Sequence, residues 1–405
     1  MLLRILLALL LCAAAQGADR PTVLMISLDG FRFDYATKYR ANHLLAFAKR
    51  GVQAKAMLPS FPTTTFPNHY TIATGLYPAH HGIVENSFWD PELNARFQFN
   101  DSKVASDPRF WGGTPLWVLA EKQGVTAAAY FWTGSDYEIA GRRPTYWFPF
   151  NSKTPKETQV AQVVEWLKLP ETKRPHLMTI YFSDADHAGH DHGPDSEETR
   201  AAVLNLDRTL GDLFAKIRKT RVPVDIFVVS DHGMANVEPM IDLGKFANFD
   251  GVRTAGSGTN FQVYSDDARK IDEIYGALTR VANSERDPRF MVYRKADIPA
   301  RLHYSGSGRI GDLVVFSRQR VGIGLVDPKR PPRTAPPQKG THGFDLELVP
   351  EMRAIFYAAG PHLKKGLTIE EFENIHVYPL IARLLRLQVR DTIDGDVNVL
   401  APILR

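Results

Sequence analysis

The chain has 405 residues, 44% of them apolar and 23% charged, with a formal net charge of +4 and a pI near 8.9. That length and apolar content suffice for a large buried core, and the scattered positive charge draws small anions without any basic run suited to tracking nucleic acid. The single cysteine, Cys12, lies in an amino-terminal leader, so the remainder has no thiol for a disulfide framework or for redox control.

In chain order, Met1-Leu-Leu-Arg4 and the apolar run to Ala15 read as a secretory signal peptide over residues 1–17, too short to span a bilayer. Cleavage fits after Ala15 or Gly17, and a periplasmic or otherwise secreted bacterial protein follows, with no membrane span once the leader is removed. Residues 18–405 read as one domain. Thr22–Leu28 is an apolar, β-branched run that ends at Asp29-Gly30, and a helix signal from His43 to Arg50 stops at Gly51. The run Pro62-Thr63-Thr64-Thr65-Phe66-Pro67-Asn68-His69-Tyr70 sets the Thr65 hydroxyl just before a helix started by Pro67 and ended by Gly75. Free backbone N–H groups and the positive end of the helix dipole would hold a phosphoryl group there, which makes Thr65 the candidate nucleophile.

A helix from Pro115 to Gln123 stops at Gly124, and the aromatic run Tyr146-Trp147-Phe148-Pro149-Phe150 falls in a loop before a helix from Thr158 to Leu169. The strand His176–Phe182 leads into Ser183-Asp184-Ala185-Asp186, a helix spans Ser196 to Lys219, and the strand Val224–Ser230 leads into Asp231-His232-Gly233. Residues 236–337 break this rhythm with a helix near Ala268–Ala282, short strands near Val263 and Leu313, and the Pro-rich run Asp327–Pro337. They read as a small inserted α+β subdomain. A helix from Val377 to Leu387 closes the chain. The alternation predicts an α/β fold: a doubly wound, mostly parallel sheet sandwiched by helices.

In such sheets ligands bind beyond the carboxyl ends of the strands, so Asp29, Asp186 and Asp231 are expected to converge. Converging carboxylates stay ionised together only beside cations, and nearby histidines add the neutral ligands that a zinc-like metal favours. Asp186 and His190 are four apart, His232 adjoins Asp231, and His342 in Gly340-Thr341-His342-Gly343-Phe344 supplies a further ligand. Asp184 reads as structural, and His187 and His192 as solvated loop residues or groups that support the ligands.

The motifs Leu28-Asp29-Gly30-Phe31-Arg32, Thr65-Phe66-Pro67-Asn68-His69-Tyr70, Ser230-Asp231-His232-Gly233-Met234 and Gly340-Thr341-His342-Gly343, in that order, resemble the nucleotide pyrophosphatase/phosphodiesterase family of the alkaline phosphatase superfamily. The resemblance runs from about Thr22 to about Leu387. It implies an alkaline phosphatase-like fold and two Zn(2+) ions, one held by Asp186, His190 and His342, the other by Asp29, Asp231, His232 and the Thr65 hydroxyl. Thr65 would attack phosphorus and form a phospho-threonine intermediate. Asn86 matches the family's donor to a non-bridging phosphate oxygen, and Phe66 matches one side of its nucleobase slot. The other side falls to an aromatic among Tyr146, Phe148 and Phe150, with Phe150 favoured because Asn-Ser follows it. The segment Phe88–Gly113 resembles an insertion kept in nucleotide-cleaving members, whereas Thr64 stands where several relatives carry Lys. The implied partners are small nucleotides, cleaved at phosphodiester or pyrophosphate bonds to nucleoside 5′-monophosphates. The alternatives on the same scaffold are a phosphomonoesterase or phosphonate hydrolase and a choline-type phosphodiesterase. No Cys/Ser-x-Pro-x-Arg context marks a sulfatase near Thr65.

Overall fold

The structure, a computed structural model, describes residues 20–326 and 337–405. The leader and nearly all of the Pro-rich run Asp327–Pro337 lie outside the described residues. Among those described, no helix is long and apolar enough to cross a membrane.

The centre is an eight-stranded sheet of β1 (Thr22–Leu28), β2 (Val52–Ala54), β3 (Ala127–Tyr130), β4 (Tyr146–Phe148), β5 (Leu177–Phe182), β6 (Val224–Val229), β7 (Phe356–Ala359) and β8 (Leu367–Ile369), in the spatial order β8-β2-β7-β6-β1-β5-β3-β4. Its inner strands β6, β1, β5 and β3 run parallel, and only β7 runs against both of its neighbours. The sheet is covered on both faces because strand side chains alternate. From β1, Leu24, Ile26 and Leu28 enter one core with Leu44, Phe47, Val160, Trp166, Leu206 and Leu213, while Val23 and Met25 enter the other with Tyr70, Ile72, Leu119 and Leu380. The first core is built on α1 (Asn42–Arg50), α3 (Lys156–Lys168) and α5 (Glu197–Thr220), the second on α2 (Thr65–Thr74) and α7 (Val377–Leu384).

Two local differences from the sequence reading bear on the site. The helix α2 begins at Thr65, not at Pro67. Its first bond runs from Asn68 N–H to Thr64 O at 3.1 Å, and Pro67 is tolerated inside the first turn because that turn has no use for its missing N–H. Gly75 ends the helix at φ 69°, as its lack of a Cβ allows. The second difference is Tyr146–Phe148, which is not a loop but the edge strand β4, paired in parallel with Ala128–Tyr130. Its aromatic residues suit a half-buried edge.

Residues 253–317 carry a separate four-stranded antiparallel sheet, in the order Arg253–Ser257, Asn260–Tyr264, Leu313–Ser317, Phe290–Arg294. The helix α6 (Ala268–Ser284) packs on it through Ile271, Ile274 and Leu278, giving this region its own core.

Candidate active site

The neighbouring parallel strands β6, β1 and β5 deliver three acids to one edge of the sheet. Asp29 follows β1 directly, Asp231 lies just past β6, and Asp186 sits in α4 (Asp184–His192), which begins after β5. All three are buried. Two groups of ligand atoms result, each within 4.8 Å: Asp29, Asp231 and His232, and Asp186, His232 and His342. His190, one helical turn after Asp186, places Nε2 3.3 Å from Asp186 Oδ1.

Three histidines are oriented alike. The carbonyls of Gly340, Gly233 and Thr63 accept from Nδ1 of His190, His232 and His342 at 2.9, 2.9 and 3.0 Å, which turns each Nε2 towards the acids. Asp29 Oδ1, Asp186 Oδ1 and Asp231 Oδ2 are buried without a hydrogen-bond partner among the described residues. Orphaned carboxylate oxygens facing bare imidazole nitrogens are the donor set of divalent cations, and the residues fit such ions at both groups.

Without cations, protons must balance the charge. Burial, then the charges of Asp231 and Asp186, pushes Asp29 well above the usual carboxylate range. Burial opposes ionisation of Asp231, yet His232 and His69 hold it well below that range. His190 is lowered by burial but carried up to about 9 by the Asp186 carboxylate, whereas burial with His232 and His190 brings His342 down to about 3.

Thr65 opens α2 with its Oγ1 3.1 Å from Nε2 of His232, the residue common to both groups. The loop before it is knitted to the helix by the buried Asn68 amide, which accepts from Ser60 N–H and donates to Pro62 O and Thr64 O. One of the N–H groups at the helix start is already taken: Phe66 N–H donates to Asn86 Oδ1 at 2.9 Å. This bond fixes the amide so that its Nδ2 is the free donor end.

The half-buried Phe66 ring packs edge-on to Phe97 and Phe99, 6.2 and 5.5 Å away, and lies 6.3 Å from Trp111, so the segment 88–113 forms one wall beside Thr65. Phe150 is 52% exposed and meets Tyr181 at 5.9 Å, at the rim of a cleft of about 630 Å³ that also includes Lys156, Asp184, His187 and Arg208. Tyr146 is not brought to this place. It starts β4 at the opposite edge of the sheet, where its hydroxyl donates to Lys173 O. Asp184 pairs with Lys156, and His187 and His192 are exposed outside both groups.

Three contributors were not singled out from sequence. His69 is fully buried with Nδ1 2.9 Å from Thr65 O and 3.2 Å from Asp231 Oδ2, and Nε2 2.8 Å from Ser27 Oγ. Its place four residues after Thr65, on the same helix face, was the available signal. Tyr181 donates a short hydrogen bond to Asp29 Oδ2. Phe99 adds an exposed ring beside Phe66.

Comparison with known proteins agrees with this geometry. Residues 23–345 match the family model described as type I phosphodiesterase / nucleotide pyrophosphatase. A pyrophosphatase/phosphodiesterase of Schizosaccharomyces pombe, itself described as uncharacterised, is 38% identical over 90% of this chain and 77% of its own. Ectonucleotide pyrophosphatase/phosphodiesterase family member 3 of Rattus norvegicus is 35% identical over 93% of this chain, and venom phosphodiesterase 2 of Crotalus adamanteus 34% over 92%. The chain spans less than half the length of those two proteins, at 44% and 46%. Murine ectonucleotide pyrophosphatase/phosphodiesterase 5 superposes with a TM-score of 0.87 at 31% identity, over 95% of this chain and all of that one. An inactive threonine-to-alanine variant of that mouse protein has been solved in complex with AMP.

Proposed function

The chain belongs to the type I phosphodiesterase / nucleotide pyrophosphatase family, and from this footing we propose that it hydrolyses nucleotide phosphodiester and pyrophosphate bonds, releasing nucleoside 5′-monophosphates. The observation that carries the proposal is the placement of Thr65 Oγ1 against His232, the residue that both acid–histidine groups share. Two zinc ions, one on Asp186, His190 and His342, the other on Asp29, Asp231, His232 and the Thr65 hydroxyl, would lower the pKa of that hydroxyl and offset charge on the phosphoryl oxygens.

The chain's own residues divide the remaining work. Thr65 Oγ1 forms the new bond to phosphorus while the bond to the leaving oxygen breaks, giving a phospho-threonine that water then hydrolyses. His69 holds the Thr65 carbonyl and Asp231 together, so nucleophile and ligand shift as one. Asn86, tied through Oδ1 to Phe66 N–H, offers Nδ2 to a non-bridging oxygen. A neutral amide suits a diester, which bears one negative charge, whereas a monoester dianion calls for an Arg or Lys clamp. Phe66, with Phe99 and Trp111 beside it, offers a stacking face to a base, and the exposed Phe150, which meets Tyr181, is the candidate for the second face. Stacking accepts any base and supports broad nucleotide specificity. The AMP complex of the mouse protein supports a nucleotide ligand, and its inactive threonine variant supports a threonine nucleophile. Relatives named as ecto-enzymes and venom proteins support secretion.

The test compares kcat/KM, on zinc-loaded protein, for p-nitrophenyl thymidine 5′-monophosphate, p-nitrophenyl phosphate and p-nitrophenyl phosphorylcholine. Preference for the nucleotide diester by orders of magnitude supports the proposal. Preference for the monoester assigns a phosphomonoesterase and overturns the role given to Asn86. Preference for the choline ester overturns the base-stacking role of Phe66.

A further inference from the structure

The segment that carries Asn86 is gripped along its main chain by the inserted region. Arg309 Nη1 donates to Gly82 O at 3.0 Å, and Tyr304 Oη donates to Val84 O at 2.9 Å. The next residue, Glu85, is buried, and its Oε1 accepts the Asn86 N–H at 2.8 Å. Its other oxygen, Oε2, has no formed hydrogen bond among the described residues, and neither do Thr64 Oγ1 or the two amide atoms of Asn260, all of them buried. These orphaned groups share one place: the Thr64 hydroxyl and the Asn260 amide both act on the Glu85 carboxyl. Burial pushes that carboxyl up to about 7, and the Asn86 N–H, Thr64 and Asn260 work in the opposite direction.

The connections are specific to the chemistry. Thr64 immediately precedes Thr65, Asn86 immediately follows Glu85, and Asn260 begins a strand of the inserted region's sheet. A buried carboxyl among buried polar groups is costly, and a hydrophobic residue of similar size would relieve the cost. Its position at the meeting point of nucleophile loop, Asn86 segment and inserted region gives it a use.

We propose that Glu85 is a positioning residue: its carboxyl draws Thr64, the Asn86 backbone and Asn260 to one buried point and so keeps the Asn86 amide in register with the Thr65 hydroxyl. The inference rests on the roles given above to Thr65 and Asn86. It also gives the inserted region a task, since Asn260, Tyr304 and Arg309 fix the segment 82–86 from one side.

A double-mutant cycle between Glu85→Gln and Asn86→Ala tests this, read as kcat and KM for p-nitrophenyl thymidine 5′-monophosphate with zinc content and melting temperature measured in parallel. A small misplacement of a donor lowers turnover more than binding, so Glu85→Gln lowers kcat about tenfold while KM stays within about twofold and bound zinc is unchanged. In the Asn86→Ala background the same substitution changes kcat by less than about twofold, because no amide remains to be placed. Asn260→Ala, which removes the inserted region's arm, follows the same pattern. If Asn86→Ala alone leaves kcat intact, the catalytic reading of Asn86 fails and takes the inference with it. If Asn86→Ala is impaired but Glu85→Gln is silent, or is equally harmful in both backgrounds, only the inference fails.

Discussion

Gly30→Ala perturbs the site without replacing a ligand. Gly30 follows Asp29 at the end of β1 with φ at 64°, and its N–H donates to Asp231 Oδ1 at 3.2 Å. A Cβ here would lie 2.9 Å from both Cα and Cβ of Asp186 and 3.1 Å from Asp186 Oδ1. The left-handed backbone costs an alanine about 1–2 kcal/mol, and the overpacking adds about 1–3 kcal/mol, for a combined loss of about 2–5 kcal/mol. Restoring an ordinary contact moves Asp186 by a few tenths of an ångström, more than the roughly 0.2 Å within which metal–ligand distances hold. Zinc affinity should therefore drop by about 10–100-fold, the range seen when the supports of metal ligands are disturbed. A competition titration against a chromophoric chelator reads the affinity, a melt in EDTA reads the fold, and kcat/KM at rising zinc shows partial rescue. A Gly30→Ala protein that binds zinc within about twofold of the parent and melts at the same temperature would refute the claim that this close approach sets the site.

Thr65→Ala should lower kcat by about four orders of magnitude or more, with Thr65→Ser retaining part of it, and mass spectrometry of quenched turnover should find the phosphoryl group on the Thr65 peptide; full activity in the alanine variant excludes a covalent mechanism. Phe66→Ala and Phe99→Ala should each raise KM for nucleotide esters by about 5–150-fold, from a stacking contribution of about 1–3 kcal/mol, and leave bis-p-nitrophenyl phosphate unaffected. Tyr146→Ala should leave both substrates unchanged because that side chain is bonded to Lys173 O at the other edge of the sheet; a KM increase equal to that of Phe66→Ala would contradict this placement. In EDTA, His190 has a folded pKa raised from 6.5 to about 9, so its pairing with Asp186 stabilises the protein fully below pH 6.5 and that contribution is lost as pH rises through 9. Melting temperatures across that window should fall, and the fall should be smaller in His190→Gln, with the remainder carried by His232, which burial lowers but Asp231 raises overall. His81 runs the other way: burial holds it at about 3, so its share of stability is present above pH 6.5 and is lost as pH falls through 3, which acid-titration melts of the His81→Gln variant would test.

The elements legible in the chain were those whose signal is local. Thr22–Leu28 and Val224–Val229 are predominantly apolar runs rich in β-branched residues, the second interrupted only by Asp225, and a strand covered on both faces needs no more than that. Ala127–Tyr130 has weak strand propensity of its own and becomes a strand by pairing with Leu177–Ile180, while Tyr146–Phe148 gains its place from Ala128–Tyr130 in turn. The start of α2 moved by two residues because proline is permitted throughout a first turn, so its position marks the turn and not the first residue.

The same division holds at the site. Asp29, Asp186 and Asp231 were recognisable because each follows a strand, and local patterning places a residue at a strand end. That the three acids face one another depends on β6, β1 and β5 lying side by side and parallel, which the hydrogen-bond register of the sheet decides. Tyr181 and Glu85 carry no local mark of their tasks and His69 only its spacing from Thr65, since Ser27, Asp231, Asp29 and Asn260 reach them across long stretches of chain. Residue type and strand end are thus written in the sequence itself. Orientation, burial and the pairing of charges belong to the tertiary structure, because they arise only when distant segments exclude water from a common space.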